Sequence, residues 1–256
     1  MTFKKNYFTI FFVMLFLHGF AQQVHVKYYH VRSPIATLYE DLYVKDNDVI
    51  SIQDSIVNFN SNGTMSAVKP SVRPLSKNYF ISKLQDNGKT KDFFFTGLDK
   101  ETKYFIHDNV SKPVWRIDET KTKKILGYNC IKATTNFRGT ELTAYFTKDL
   151  PYSAGPFKFF GLPGLILDIR EENKNFNIWK AEKVELTVDS KINFTPKLNN
   201  YPKITMKEFV EMKDGTQNNE IKDLLSRMPA GTKVQNDSKG RAGIEKKFEF
   251  EQMYAH

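Results

Sequence analysis

Cysteine is almost absent. Cys130 is the one thiol in 256 residues, so no internal disulfide can form and the fold must hold by its core alone. Histidine is scarce as well: past the first twenty-one residues only His25, His30, His107 and His256 remain. His25 and His30 fall on opposite faces of one strand pattern, so no metal-ligand cluster is expected. A G-x-S-x-G nucleophile elbow is missing, and Ser153, followed by Ala154-Gly155, lacks the leading glycine. No glycine loop of the kind that cradles phosphate or a dinucleotide is present. A Cys130–His107 thiol dyad has no support either, because the strand pattern around Cys130 implies burial rather than an activated thiolate. These absences leave no catalytic constellation, and neither a cofactor nor a metal is expected. Beyond residue 21 no run is long and apolar enough to cross a membrane as a helix.

Export is what the N-terminus points to. Lys4 and Lys5 precede an apolar stretch, Tyr7 to Phe20, and Gly19-Phe20-Ala21 places small residues at the positions a signal peptidase reads. Cleavage is expected between Ala21 and Gln22. The end of the apolar stretch carries no cysteine for lipid attachment. The division expected is therefore a signal peptide, 1–21, and a single β-rich domain, 22–256, with 230–256 partly mobile. Formal charge is +9 for the full chain, and losing Lys4 and Lys5 lowers it to about +7. The positive residues are dispersed rather than gathered in a patch, which argues against nucleic acid as a partner and for weak attraction to anionic surfaces.

Period two dominates from Val24 onward. Val24, Val26, Tyr28 and His30 alternate with His25, Lys27, Tyr29 and Val31, the pattern of a half-buried strand. Further strand-like runs cover Leu38–Val44, Val49–Phe59, Tyr79–Leu84, Lys91–Thr96, Thr102–His107 and Pro113–Asp118, with an irregular connection over Ser66–Ser76. Lys123–Thr135 and Thr140–Lys148 read as a hairpin closed by Asn136-Phe137-Arg138-Gly139, and Phe176–Thr187 as one more strand. Helical spacing is confined to Thr205–Lys213 and Asn218–Met228, where Thr205 and Glu208 form a capping-box pattern. Phe248–Met253 reads as a last short strand or a frayed tail. The fold class expected is mainly β: an antiparallel meander forming a highly curved sheet or open half-barrel, with one or two C-terminal helices.

The densest apolar stretch of the mature chain is Phe157-Lys158-Phe159-Phe160-Gly161-Leu162-Pro163-Gly164-Leu165-Ile166-Leu167-Asp168-Ile169. Proline presets φ and glycine tolerates positive φ, so Leu162-Pro163-Gly164-Leu165 has the sequence of a type II turn, with Gly161 allowing close backbone approach. So many apolar side chains do not suit an exposed loop. The segment is expected to tuck into the core and return as a buried strand.

Gly161-Leu162-Pro163-Gly164-Leu165-Ile166, with Ser153-Ala154-Gly155-Pro156 upstream and Gly127-Tyr128-x-Cys130-x-x-Ala133 before that, resembles the GLPGLI family of exported bacterial proteins. The resemblance covers most of the mature chain to about Thr187. It implies an envelope protein of Gram-negative bacteria, periplasmic or associated with the outer membrane, in a family without an established activity. Gly161, Pro163, Gly164 and Cys130 are read as structural.

With no catalytic constellation, the function expected is non-enzymatic: binding of an apolar ligand, or of an outer-membrane transport partner, through Phe159, Phe160, Leu162, Pro163 and Leu165, with Trp115 and Trp179 as groove aromatics. An enzyme acting on envelope material, such as a hydrolase, is the alternative class, and a purely structural interaction protein is the third.

Overall fold

The computed structural model describes residues 23–54, 58–61, 64–66, 77–187, 192–198, 200–228, 241 and 243–254. The leader at 1–21, the proline-bearing stretch 67–76 and His256 lie outside the described residues.

Fourteen strands form one sheet. They are β1 (Gln23–Ser33), β2 (Ala36–Lys45), β3 (Asp48–Gln53), β4 (Asn58–Ser61), β5 (Thr64–Ser66), β6 (Asn78–Lys83), β7 (Thr90–Asp99), β8 (Thr102–Ser111), β9 (Arg116–Ile125), β10 (Tyr128–Phe137), β11 (Thr140–Thr147), β12 (Leu165–Glu171), β13 (Ile178–Thr187) and β14 (Lys203–Thr205). The order is β14-β8-β7-β6-β3-β2-β1-β13-β12-β11-β10-β9, with β4 and β5 off this path beside β2. Every pair is antiparallel except β14 with β8. The chain thus makes two meanders that meet where β1 pairs β13. The mainly β, meandering fold expected from the sequence is the fold observed.

Strong curvature follows from connectivity. β8 and β9 stand ten places apart in the order, about 48 Å in a flat sheet at the usual strand spacing. Only residues 112–115 join them, and the five steps from Ser111 to Arg116 reach about 18 Å at most. The sheet must therefore curl until its two limbs nearly meet. Its terminal strands β9 and β14 do not pair with each other among the described residues, so the barrel stays open along one seam.

Alternation decides what fills the curl. Val24, Val26, Tyr28, Leu42, Val44, Ala133, Leu142, Ala144, Phe146 and Ile169 point inward and are buried. Into the space they leave folds the loop between β11 and β12, residues 148–164. Phe160 packs on Phe93 of β7, and Phe157 on Phe80 of β6 and Trp179 of β13. Phe159 packs on Phe137 of β10 and on Trp179. One loop thus touches both limbs and closes the core between them.

Several expected boundaries shift for identifiable reasons. Lys123–Thr135 is not one strand. Leu126 and Gly127 both take positive φ (50° and 87°), the signature of a two-residue type I′ hairpin, and the chain reverses there. Arg138 and Gly139 repeat the device between β10 and β11 (47° and 85°). The two helical stretches are a single helix, α1 (Met206–Ser226), because one interior glycine, Gly215, does not stop a helix. Its capping box is present: Thr205 N donates to Glu208 Oε2 at 2.7 Å and Glu208 N to Thr205 Oγ1 at 3.3 Å. Met206 and Val210 seat the helix on Ile106 and Phe95 of the sheet. The end of the chain forms a short 3-10 helix, Glu249–Tyr254, rather than a strand.

The motif keeps its corner but exchanges the roles of its glycines. Gly161 holds positive φ (93°), whereas Gly164 does not, so the type II turn expected at Leu162–Leu165 is not formed. Gly164 is needed for space instead: a Cβ there would lie 2.0 Å from the carbonyl oxygen of Thr147. β12 then returns through the core, buried at every position except Arg170.

On the outer face His25 bridges two strands. Its Nε2 lies 2.7 Å from Asp41 of β2 and its Nδ1 2.9 Å from Glu185 of β13, and the ring stacks on Tyr43. Burial acts to lower its pKa, but the hydrogen bonds and charges of Asp41 and Glu185 outweigh burial and raise it above the ordinary 6.5. A raised histidine pKa gives stability that is full below the unfolded-state value and is lost as pH rises through the folded one. His25→Gln is therefore expected to lower Tm more at pH 5.5 than at pH 8.5, by the equivalent of about 0.2 to 1 kcal/mol. Equal losses at both pH values would contradict this ion-pair role.

Candidate functional site

The open seam carries a polar groove. Pro113 cannot donate to a strand ladder, so β8 stops at Ser111 and residues 112–115 leave the sheet before β9 begins. That connector is fastened on both sides. Trp115 Nε1 donates to the carbonyl of Phe160 at 2.8 Å, and Thr135 Oγ1 to the carbonyl of Val114 at 2.9 Å. Lys112 N donates to the carbonyl of Lys89 at 2.8 Å. Opposite stands the β10–β11 turn. Asn136 accepts from Gly139 N at 3.1 Å and donates from Nδ2 to Glu141 Oε1 at 2.5 Å. Between connector and turn is a cavity of about 420 Å³, whose wall includes Pro113, Val114, Arg116, Asn136, Glu141 and Glu249. That volume is within the usual range for small-ligand sites.

Beneath the groove is a buried ion cluster. Arg138 forks onto Asp108 with two bonds of 2.8 Å and also reaches Glu249 at 2.9 Å and Glu245. Lys158, fully buried, lies 2.6 Å from Asp108 and bonds Glu245 Oε2 at 2.7 Å. Burial acts to raise the Asp108 pKa, but the charges of Lys158 and Arg138 and their hydrogen bonds lower it to about 2. Glu249 also accepts from Ser111 N at 3.1 Å. The C-terminal segment is thereby pinned against the groove wall, and Lys246 N and Lys247 N bond the carbonyl of Arg138, both at 2.9 Å. Of the residues from 230 onward, Glu245, Lys246, Lys247 and Glu249 are held by this network.

A second buried charge lies inside the curl. Glu40 accepts from Ser51 Oγ, from Gln53 Nε2 at 2.8 Å, from Phe157 N at 2.5 Å and from Trp179 Nε1 at 2.9 Å. Burial raises its pKa against the pull of these four donors. This carboxyl ties the motif loop to β2, β3 and β13. It is closed off from the groove and serves the core.

The residues expected to bind a ligand divide by place. Phe159, Phe160, Leu162, Leu165 and Trp179 are all buried, at 2% exposure or less, and Pro163 alone is exposed. Trp115 is half-buried with its indole spent on Phe160. The apolar groove expected around them is filled by these same rings. What space remains beside Ala154, Gly155, Phe157 and Phe159 is about 10 Å³, enough for at most one water. Cys130 is a buried free thiol, and burial pushes its pKa up to about 11, as suits a small core residue. Among the histidines, His30 is buried against Trp179 with its pKa lowered to about 3. His107 bonds Asp92 at 2.8 Å. No group of three metal-ligating side chains occurs among the described residues.

Arg116, Asn136, Glu141, Arg138 and Glu249 were not singled out from the sequence. Arg138 next to Gly139 reads as turn residues, and nothing local says that this guanidinium points inward. Lys158 did carry a signal: a lone charge within Phe157–Phe160 must find a buried partner. Glu40 gave another, occupying an inward position between Leu38 and Leu42.

Two crystal structures of PNGF-II, in space groups C2 and P21, are similar to the chain at 16% and 15% identity, with TM-scores of 0.46 and 0.48. They cover 72% and 75% of this chain, which spans 31% and 33% of theirs, about a third of their length. Among curated proteins none matches by sequence. No helix among the described residues is long and apolar enough to cross a membrane. The family of the N-glycanase peptide, N-terminal domain, matches residues 44–208. This match overturns the non-enzymatic reading, because the family is named for an N-glycanase, an enzyme acting on glycoproteins, and the absence of a few familiar motifs does not exclude an enzyme family. With 165 of its 256 residues matched, the chain belongs to the N-glycanase peptide, N-terminal domain family.

Proposed function

We propose that the chain works in the enzymatic removal of glycans from glycoproteins outside the cytoplasm, and that the seam groove takes up the sugar nearest the protein. The observation that carries this reading is the make-up of the groove. Amide, carboxylate and guanidinium groups of Asn136, Glu141 and Arg116 stand beside the apolar Pro113 and Val114, a mixture that suits a ring with hydroxyls on its rim and C–H groups on its faces. Glu249 is occupied by Arg138 and Ser111. Glu141 has one oxygen held by Asn136, leaving the other for a ligand. Glu141 is assigned as the carboxylate that exchanges a proton with substrate or water, and Arg116 as a positioning group. The GLPGLI resemblance belongs to this proposal too, since Gly161–Ile166 falls inside the matched residues 44–208, and with it a periplasmic or outer-membrane location.

The test is to incubate the mature protein with an N-glycosylated protein and follow glycan release by mass spectrometry. Release by the wild type is expected, with a loss of about 100-fold or more in Glu141→Gln and glycopeptide binding kept within about threefold, the carboxamide being the same size. Absence of both release and glycopeptide binding would overturn the reading, as would a Glu141→Gln variant with wild-type turnover.

A further inference from the structure

Outside the groove, one cross-strand row on the outer face stands apart in its chemistry. Register places Lys132, Tyr145, Asp168, Lys180, Tyr29 and Tyr39 side by side across β10, β11, β12, β13, β1 and β2. Directly paired residues share a face, and the adjacent row, Ala133, Ala144, Ile169, Trp179, His30 and Leu38, is the buried one. Ring and cation interleave along this row: Lys27 Nζ lies 4.3 Å from the Tyr39 ring centre and Lys123 Nζ 3.7 Å from that of Tyr145. Asp168, the one carboxylate in the row, is already neutralised by Lys123 at 2.9 Å and Arg170 at 2.6 Å. Lys132 and Lys180 have no acidic partner among the described residues. The row is thus a line of half-buried tyrosine rings, Tyr39 and Tyr145 each with a lysine over one face, with the unpaired charges of Lys132 and Lys180 beside them.

It is also continuous with the groove. Thr134 lines the groove and is two residues along β10 from Lys132. Tyr145 is four residues along β11 from Glu141, about 13 Å at the usual strand rise, and alternation keeps both on the outer face. A chain of sugars leaving the groove over this face crosses the row.

We propose that this row binds an acidic saccharide: tyrosine rings meet the C–H faces of the sugars, and Lys132 and Lys180 meet their carboxylates. The row would hold the outlying part of the same glycan whose inner sugar occupies the groove, so the placement rests on the groove reading, while the row's affinity for acidic sugar does not. Neutral glycans and anionic lipid surfaces are the competing ligands. The lipid is disfavoured because the row presents half-buried rings along a strand-crossing line rather than protruding apolar side chains.

Titration calorimetry with alginate oligosaccharides, set against neutral dextran oligosaccharides and anionic phospholipid vesicles, tests the proposal on the full mature chain. Alginate is expected to bind in preference to both, with affinity falling steeply as salt is raised. The double variant Lys132→Gln/Lys180→Gln should weaken alginate binding at least about tenfold, and Tyr29→Ala should weaken it as well. Equal binding by the double lysine variant, equal affinity for dextran, or vesicle binding without alginate binding would each overturn it. Glycan release that survives in the lysine variant together with wild-type alginate affinity would overturn the row and spare the groove; alginate binding without any glycan release would support the row and count against the groove.

Discussion

Gly164→Ala is expected to destabilise the protein by about 3 kcal/mol or more, lowering Tm by roughly 6 to 12 °C. The added methyl would lie 2.0 Å from the carbonyl oxygen of Thr147, 2.7 Å from its carbonyl carbon and 3.2 Å from Lys148 N. All three are backbone atoms, so no side chain can swing away. Relief requires β11 and the start of β12 to separate where Thr147 pairs Leu165 and where Leu165 N bonds the carbonyl of Leu150 at 2.9 Å. That junction seats the loop that fills the curl, so the strain is carried into the core. Gly127→Ala supplies the control. Gly127 also needs positive φ, but an added Cβ there meets nothing within 4 Å, which leaves only the left-handed backbone cost of about 1 to 2 kcal/mol. Thermal denaturation of the two variants distinguishes space from φ. A Gly164→Ala variant that melts no lower than Gly127→Ala would show that the close approach is not what the glycine supplies.

That pair of glycines also shows where sequence reasoning stopped. Proline beside glycine is a sound local signal for a turn, and the chain does corner there. Which glycine turns and which makes room depends on Thr147, seventeen residues earlier, and on a strand register no local pattern reveals. The same division runs through the fold. Alternation identified β1, β2, β11 and β13 because one face of each is buried, and Thr205 with Glu208 marked the start of α1 because a capping box is local. Leu126-Gly127 was passed over because leucine rarely adopts positive φ, although its partner glycine makes the type I′ turn possible. The groove was not legible at all. Its residues lie at 111–116, 134–141 and 249, and only the curl of the sheet brings them together. An apolar ligand site around Phe159 and Phe160 requires that these side chains do not fill the curl themselves. Phe157, Phe159 and Phe160 do fill it, and they leave a filled interior with the chemistry displaced to the rim.

Lys158→Met is expected to cost about 3 to 5 kcal/mol, the usual consequence of removing one partner from a buried ion cluster. Lys158 is fully buried, 2.6 Å from Asp108, and its ammonium also lies 4.9 Å from the ring of Phe95 and 5.0 Å from that of Phe157. Methionine can replace the apolar stem but not the charge. Asp108 and Glu245 would then share Arg138 alone, and Asp108, with its side chain 2% exposed, has almost no water to replace the lost partner. Asp108→Asn in the same background should recover part of the loss, because it removes the charge left uncompensated; a double variant as unstable as the sum of the two singles would argue against coupling. Acid supplies an independent check. A carboxyl depressed from 3.8 to about 2 gives stability that is present above the unfolded value and lost as pH falls through the folded one. Wild type should therefore lose stability between about pH 4 and pH 2, and Asp108→Asn should lose less of it there. Because Arg138 and Glu249 connect this cluster to the groove wall, the double variant should also retain the groove: glycopeptide affinity within about threefold of wild type is expected for Lys158→Met/Asp108→Asn, and a larger loss would place Lys158 among the groups that position Glu249.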